Sequence, residues 1–220
     1  MISLIKKRIT DKSSLEVSLF LFILSSVLLL LRFAFTLSTN YWFLGWNLFL
    51  AGLPYFFSFI IYKFNLGKKY SVKLFFLLLA WLAFYPNSPY IFVDLRHVGY
   101  VSDIPVGFDW ALTFLHAFVG AFLGFESIVL LRSVLYKILN VRLGLLVLSI
   151  NLLAGFGVYL GLVLRFNSWD ILLNPLGLIA TIVILLTNQA DLIRILVFTL
   201  GYATLTQALF GIYYIFRKID

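Results

Sequence analysis

Cysteine is absent from this chain of 220 residues, which excludes disulfides, thiolate metal sites and cysteine nucleophiles and says little about compartment. Histidine is almost absent too. With only His97 and His116, a three-histidine zinc site cannot be assembled. Charge is scarce, at 12% of residues against about 25% in a soluble domain. The chain also lacks a Gly-x-x-x-x-Gly-Lys-Ser/Thr phosphate loop, a His-Glu-x-x-His pair and a Gly-x-Ser-x-Gly elbow. ATP-driven transport and the commonest intramembrane protease patterns therefore find no support.

Apolar side chains take the place of what is missing. They make up 63% of the residues, where about 45–50% is usual, and this composition reads as one integral membrane domain over residues 1–220. A formal net charge of +8 would suggest nucleic acid in a soluble protein. Here the basic residues sit between apolar runs, so they read as topology signals and contacts with membrane lipids.

The expected fold is all-α, a polytopic transmembrane helix bundle. Six spans are expected at about 17–37, 43–62, 72–97, 108–131, 143–164 and 192–216, each near the roughly 20 residues a membrane helix needs. A cleaved leader competes for the first run, whose apolar core is long for that role. Arg32, near its far end, is expected to snorkel to the interface. The third span is broken at 86–89, because Pro86 and Pro89 each lack an N–H and bias the preceding residue away from helix. Ser88 reads as the N-cap of the resumed helix, with Pro89 its first residue. The stretch 176–187 is apolar but short, so it reads as an interfacial or re-entrant helix, with a seventh span as its rival.

Charge asymmetry orients the bundle. Thirteen of the 17 basic residues fall in segments that six spans place on one side, which the positive-inside rule makes cytoplasmic, together with both termini. The outer side then collects Arg32, Arg96, Arg165 and Arg194 beside Asp94, Asp103, Asp109, Asp170 and Asp191.

That outer face carries the chemistry. Tyr90, Asp94 and His97 follow i, i+4, i+7 spacing and share one helical face. Asp94, His97 and Asp109 can act as a carboxylate–imidazole acid–base group. Asp94, His97 and His116 can offer oxygen and nitrogen ligands to a divalent metal such as zinc or manganese. Arg96 and Arg165 can grip a phosphate or carboxylate in a forked manner, with Asn87, Tyr90, Asn167, Trp169 and Asp170 completing a substrate site. The bland reading competes: Asp94, Arg96 and Arg165 form ion pairs that tie loops together, and His116 bonds a neighbouring backbone. Glu126 reads as snorkelling or pairing with a basic residue, and Asn151 as bonding across helices. Ala117, Gly120, Ala121 and Gly124 form a stripe that permits close helix packing.

Four elements occur in a set order: Trp46-Asn47-Leu48-Phe49-Leu50-Ala51-Gly52-Leu53-Pro54; Pro86-Asn87-Ser88-Pro89-Tyr90 with Asp94 and His97; Asp109-Trp110; and Asn167-Ser168-Trp169-Asp170 ahead of Asn174-Pro175. Together they resemble the bacterial membrane-protein family catalogued as domain of unknown function 1361, over about residues 40–215. The resemblance implies a multi-pass protein of a bacterial cytoplasmic membrane and supplies no activity. Three functions stand open. The first is binding or transport of an anionic or lipid-linked substrate, which at this size calls for a homo-oligomer or a partner membrane protein. The second is an outer-leaflet hydrolase or transferase with an Asp/His site. The third is a structural subunit of a membrane complex.

Overall fold

The computed structural model describes residues 2–68, 71–99, 104–166 and 170–219. Every regular element among them is helical: α1 (Ile2–Thr36), α2 (Trp42–Lys63), α3 (Val72–Phe84), α4 (Asn87–Asp94), α5 (Val106–Leu139), α6 (Leu143–Val163), α7 (Asp170–Leu173), α8 (Pro175–Thr187) and α9 (Gln189–Ile219), with single 3₁₀ turns at Leu66–Lys68 and Leu95–His97. Six segments are long and apolar enough to cross a membrane: Leu15–Thr36, Trp42–Lys63, Val72–His97, Val106–Leu139, Leu143–Val163 and Gln189–Arg217. The expected six-span bundle with a broken third helix is the one that forms. Its outward side chains are apolar, among them Phe20, Phe35, Phe75, Val197 and Phe216, as lipid contact requires.

α5 is the central mast. Its membrane window is 67% buried, more than any other span, and at 34 residues it is about 51 Å long. It packs against α1 near its start, α4 at its middle and α2 along much of its length, and touches α9, while α6 and α9 form the other close pair. Small residues set these distances. A Cβ on Gly120 would lie 2.6 Å from the Ser88 carbonyl oxygen, and one on Gly124 would lie 2.6 Å from Ser88 Cβ. The small-residue stripe thus seats α4 directly on α5. Gly155 plays the same part against the Thr199 backbone of α9.

Polar rungs cross the interior. Tyr85 donates to Asn151 Oδ1 at 3.3 Å, and Asn151 Nδ2 donates to Gln207 at 3.1 Å, so Asn151 does bond across helices. Trp81 Nε1 donates to Ser127 at 3.0 Å.

The break differs in detail from the expectation. Ser88 is not an N-cap. Pro86 occupies that position with αR dihedrals, so the chain bends without leaving helical conformation. The Ser88 hydroxyl instead donates to the Ala51 carbonyl of α2 at 2.9 Å. A neighbouring helix offers a buried acceptor there, and this outweighs the local cap preference. The Phe84 carbonyl, left over at the bend, accepts from Asn87 Nδ2 at 3.0 Å.

α8 does not span. Its 13 residues cover about 20 Å, short of a roughly 30 Å hydrocarbon core. Asn174 caps it by accepting from Gly177 N at 3.2 Å, with Pro175 as its first residue, and it packs through Leu178, Ile182 and Leu185 onto Tyr159, Ile195 and Phe198.

Candidate functional site at the broken helix

Alternating spans bring the ends of α1, α4 and α6 and the starts of α2 and α5 to one face, opposite the face that carries Lys63, Lys137 and Arg142. At the first face the break creates space. A cavity of about 430 Å³ is lined by Asn40, Tyr41, Phe43, Asn47, Tyr90, Asp94 and His97. Asp94 is 3% exposed, and its Oδ2 accepts from Asn47 Nδ2 at 2.7 Å. The expected shared face of Tyr90, Asp94 and His97 is present, even though the last turn tightens to 3₁₀. His97 stands edge-on to Phe43, with ring centres 5.7 Å apart, and its Nε2 accepts from Arg96 Nε at 3.1 Å. An imidazole accepting at Nε2 carries its proton on Nδ1.

A second cavity, about 400 Å³, runs from the bend into the membrane between α2, α3, α6 and α8. Its polar end holds Asn87 and shares Asn47 and Tyr90 with the first. Its wall is hydrocarbon, including Trp46, Leu82, Leu153, Phe156 and Leu178. Pro86 packs under Gly157, whose added Cβ would sit 3.0 Å from the proline ring.

The remaining candidate residues divide. Asp109 lines neither cavity. It is fully buried against Arg32, with Arg32 Nε to Oδ1 at 2.7 Å and Nη2 to Oδ2 at 3.2 Å. Arg32 therefore does not snorkel. It turns inward because a carboxylate on α5 and the Tyr41 ring, 4.0 Å from its guanidinium carbon, meet it there. Burial and then the Asp109 charge hold the Tyr41 hydroxyl above the ordinary phenol range, keeping it protonated. His116 is buried lower on α5 with Nδ1 2.9 Å from the Leu112 carbonyl. Among the described residues no three His, Asp or Glu side chains gather closely enough to hold a metal ion. Arg165 follows α6 in a left-handed conformation, φ 60°, and Asp170 opens α7. Asn167, Trp169 and Asp103 lie outside the described residues.

Two contributors carry little or misleading signal in the sequence. Asn47 stands in a motif with nothing to mark it as the residue that holds Asp94. Arg32 has the position of an interfacial arginine, although an arginine inside an apolar run is a standing sign of a buried partner. Glu126 met its expected basic partner: Arg217 Nε and Nη2 donate to its two oxygens at 3.1 and 3.2 Å, and Tyr213 adds a third bond at 2.6 Å.

No curated protein and no solved structure matches the chain. Residues 46–205, which include the Asn47–Asp94 contact, Tyr90 and His97, match the family described as Protein of unknown function (DUF1361), and the chain belongs to that family of membrane proteins.

Proposed function

We propose that this multi-pass membrane protein binds a lipid-linked substrate at the broken helix, for transport or presentation. The observation that carries the reading is the meeting of two unlike cavities at Asn47 and Tyr90. A polar head would enter the Asn47–Asp94–His97 cavity, and an apolar chain would lie along Trp46, Leu82 and Phe156. Asp94 supplies acceptor oxygens, so the head atoms it meets are hydroxyl or amine donors. A phosphate linking head to chain would sit toward the exposed Arg96, away from the carboxylate. Broken helices recur at such sites because backbone groups freed at membrane depth are tolerated where protein satisfies them or a cavity adjoins them. The excess of lysine and arginine on the opposite face supports an outward-facing site with both termini cytoplasmic. A site assembled within one small bundle also leaves room for a homo-oligomer or a membrane partner in the complete assembly.

A second reading, an outer-leaflet hydrolase or transferase, is favoured by Asp94 and His97 lining one cavity. In that role His97 must release Arg96 before Nε2 can act as base or ligate a divalent metal.

Thermal unfolding in detergent with three probes tests the binding reading: a polyprenyl phosphate, its glycosylated form, and the free sugar. The glycosylated lipid should stabilise wild type most, and Asp94→Asn and Leu82→Trp should each remove the advantage. Equal stabilisation of wild type and both variants would overturn the proposal. Release of free sugar by wild type alone would establish the hydrolase instead.

A further inference from the structure

A third cavity, about 570 Å³, lies on the lysine-rich face, remote from the broken helix. The end of α2, the last part of α5, the start of α6 and the end of α9 enclose it. Its polar lining is Tyr62, Arg132, Ser133, Tyr136, Arg142 and Arg217, and among the described residues no acidic one lines it. Three guanidinium groups around one hollow give it a positive potential that favours an anion between them.

The fold neutralises only part of this charge. Arg217 is committed to Glu126, which lies behind it on α5. Arg132 donates one nitrogen to the neutral Tyr214 hydroxyl at 3.0 Å. Among the described residues, neither Arg132 nor Arg142 forms an ion pair with a carboxylate. Among the described residues the hollow thus retains the charge of two arginines, with a serine and two tyrosine hydroxyls as further donors.

The rest of the lining gives the ligand its shape. Val129, Leu143 and Leu146 form an apolar flank, where the span of α5 ends and that of α6 begins. A phosphate flanked by apolar chain fits this arrangement. A flat carboxylate would use one guanidinium fork, whereas a tetrahedral phosphate can accept from two arginines and a hydroxyl at once.

We infer that this cavity is a binding site for an anionic phosphate-bearing headgroup, one held by Arg132 and Arg142 with the hydroxyls of Ser133 and Tyr136. The phosphate belongs either to a phospholipid of the surrounding leaflet or to a soluble phosphate compound. Basic pockets between membrane helices hold anionic lipid heads by the same forces. The site does not depend on the reading of the broken helix.

The test uses full-length, delipidated protein in neutral detergent, titrated with phosphatidylglycerol, phosphatidylcholine or inorganic phosphate. Native mass spectrometry counts bound lipid, and thermal unfolding reports stabilisation. Phosphatidylglycerol should bind at one to one and phosphatidylcholine more weakly. The Arg132→Ala, Arg142→Ala double variant should lose about 30-fold in affinity, at roughly one surface-arginine contribution for each residue. Lys137→Ala, a charge on the same face that does not line the cavity, should change affinity less than about 5-fold. The Arg132→Lys, Arg142→Lys variant keeps the charge and separates loss of binding from loss of folding. Competition by inorganic phosphate would uphold the phosphate site and assign it to a soluble ligand. Wild-type affinity in the double alanine variant, or equal binding of both lipids, would overturn it.

Discussion

Arg32 and Asp109, 77 positions apart, form a two-pronged ion pair in which both side chains are fully buried. It fastens the first helix to the central one at the same face as the broken helix. An opposing pair, Glu126 with Arg217, fastens the last helix to the central one toward the other face. α5 is thus clamped at two levels, and the cavity beside α4 is built against a fixed surface.

Removing one partner of the buried pair strands the other charge. Asp109→Ala or Arg32→Ala should each destabilise the protein by about 3–5 kcal/mol, read as a lower unfolding temperature in detergent. The Arg32→Met, Asp109→Leu double variant should recover most of the loss, because apolar replacements of similar volume leave no stranded charge. If the single variants unfold like wild type, the pair does not hold α1.

Gly120 and Gly124 fix the depth at which α4 sits on α5. Gly120→Ala places a methyl group where the Ser88 carbonyl and the Ile91 side chain already lie. Pushing α4 outward should cost about 1–3 kcal/mol and open the Asn47–Asp94 contact. Gly211→Ala, with open space around its added Cβ, is the matched control and should be neutral in the same unfolding assay.

Asn47→Leu keeps the branching of the side chain, with larger terminal groups, but removes the donor to Asp94. The substitution should lower stability by about 1–3 kcal/mol, the range for a buried group left without its bond. Asp94→Asn in the same background should restore part of that loss, since a neutral amide is easier to leave unpaired. A double-mutant cycle on unfolding free energies measures the coupling, and a value near zero would refute the contact.

Tyr213 is the neutral member of the second clamp. Tyr213→Phe deletes a 2.6 Å bond to Glu126 while Arg217 remains, so it should cost about 1.5–3 kcal/mol. Glu126→Gln should cost more, because it leaves Arg217 without its counter-charge. Unfolding temperatures of the two variants check the order.

The absence of cysteine makes topology directly measurable. Thr39→Cys, between α1 and α2, should react with an impermeant maleimide added to intact cells. Lys137→Cys, near the end of α5, should react only after the cells are opened. The reverse pattern would invert the bundle and turn the broken-helix cavity to the cytoplasm.

Much of the fold is legible in the sequence, and what is not follows a physical division. Span positions were legible because apolar length and flanking lysines are local properties. So was the face shared by Tyr90, Asp94 and His97, which depends only on spacing along one helix. The bend at Pro86 was legible; the fate of Ser88 was not, because its acceptor is Ala51 on another helix. Asp109 groups with the polar site in the sequence because its membrane face is legible and its partner, 77 positions back, is not. The hollow between Arg132, Arg142 and Arg217 draws on helices that only packing brings together, and no spacing rule announces it.

The order of synthesis gives the first clamp a further significance. Arg32 leaves the ribosome 77 residues before Asp109, an interval of roughly 4–15 s at ordinary elongation rates of about 5–20 residues per second. Through that interval the arginine has no Asp109 to meet, and a lone arginine at membrane depth is costly to leave in lipid. The Arg32–Asp109 pair can close only once Asp109, four helices later in the chain, has been made. The helix made first is therefore not fastened to the central one at the start.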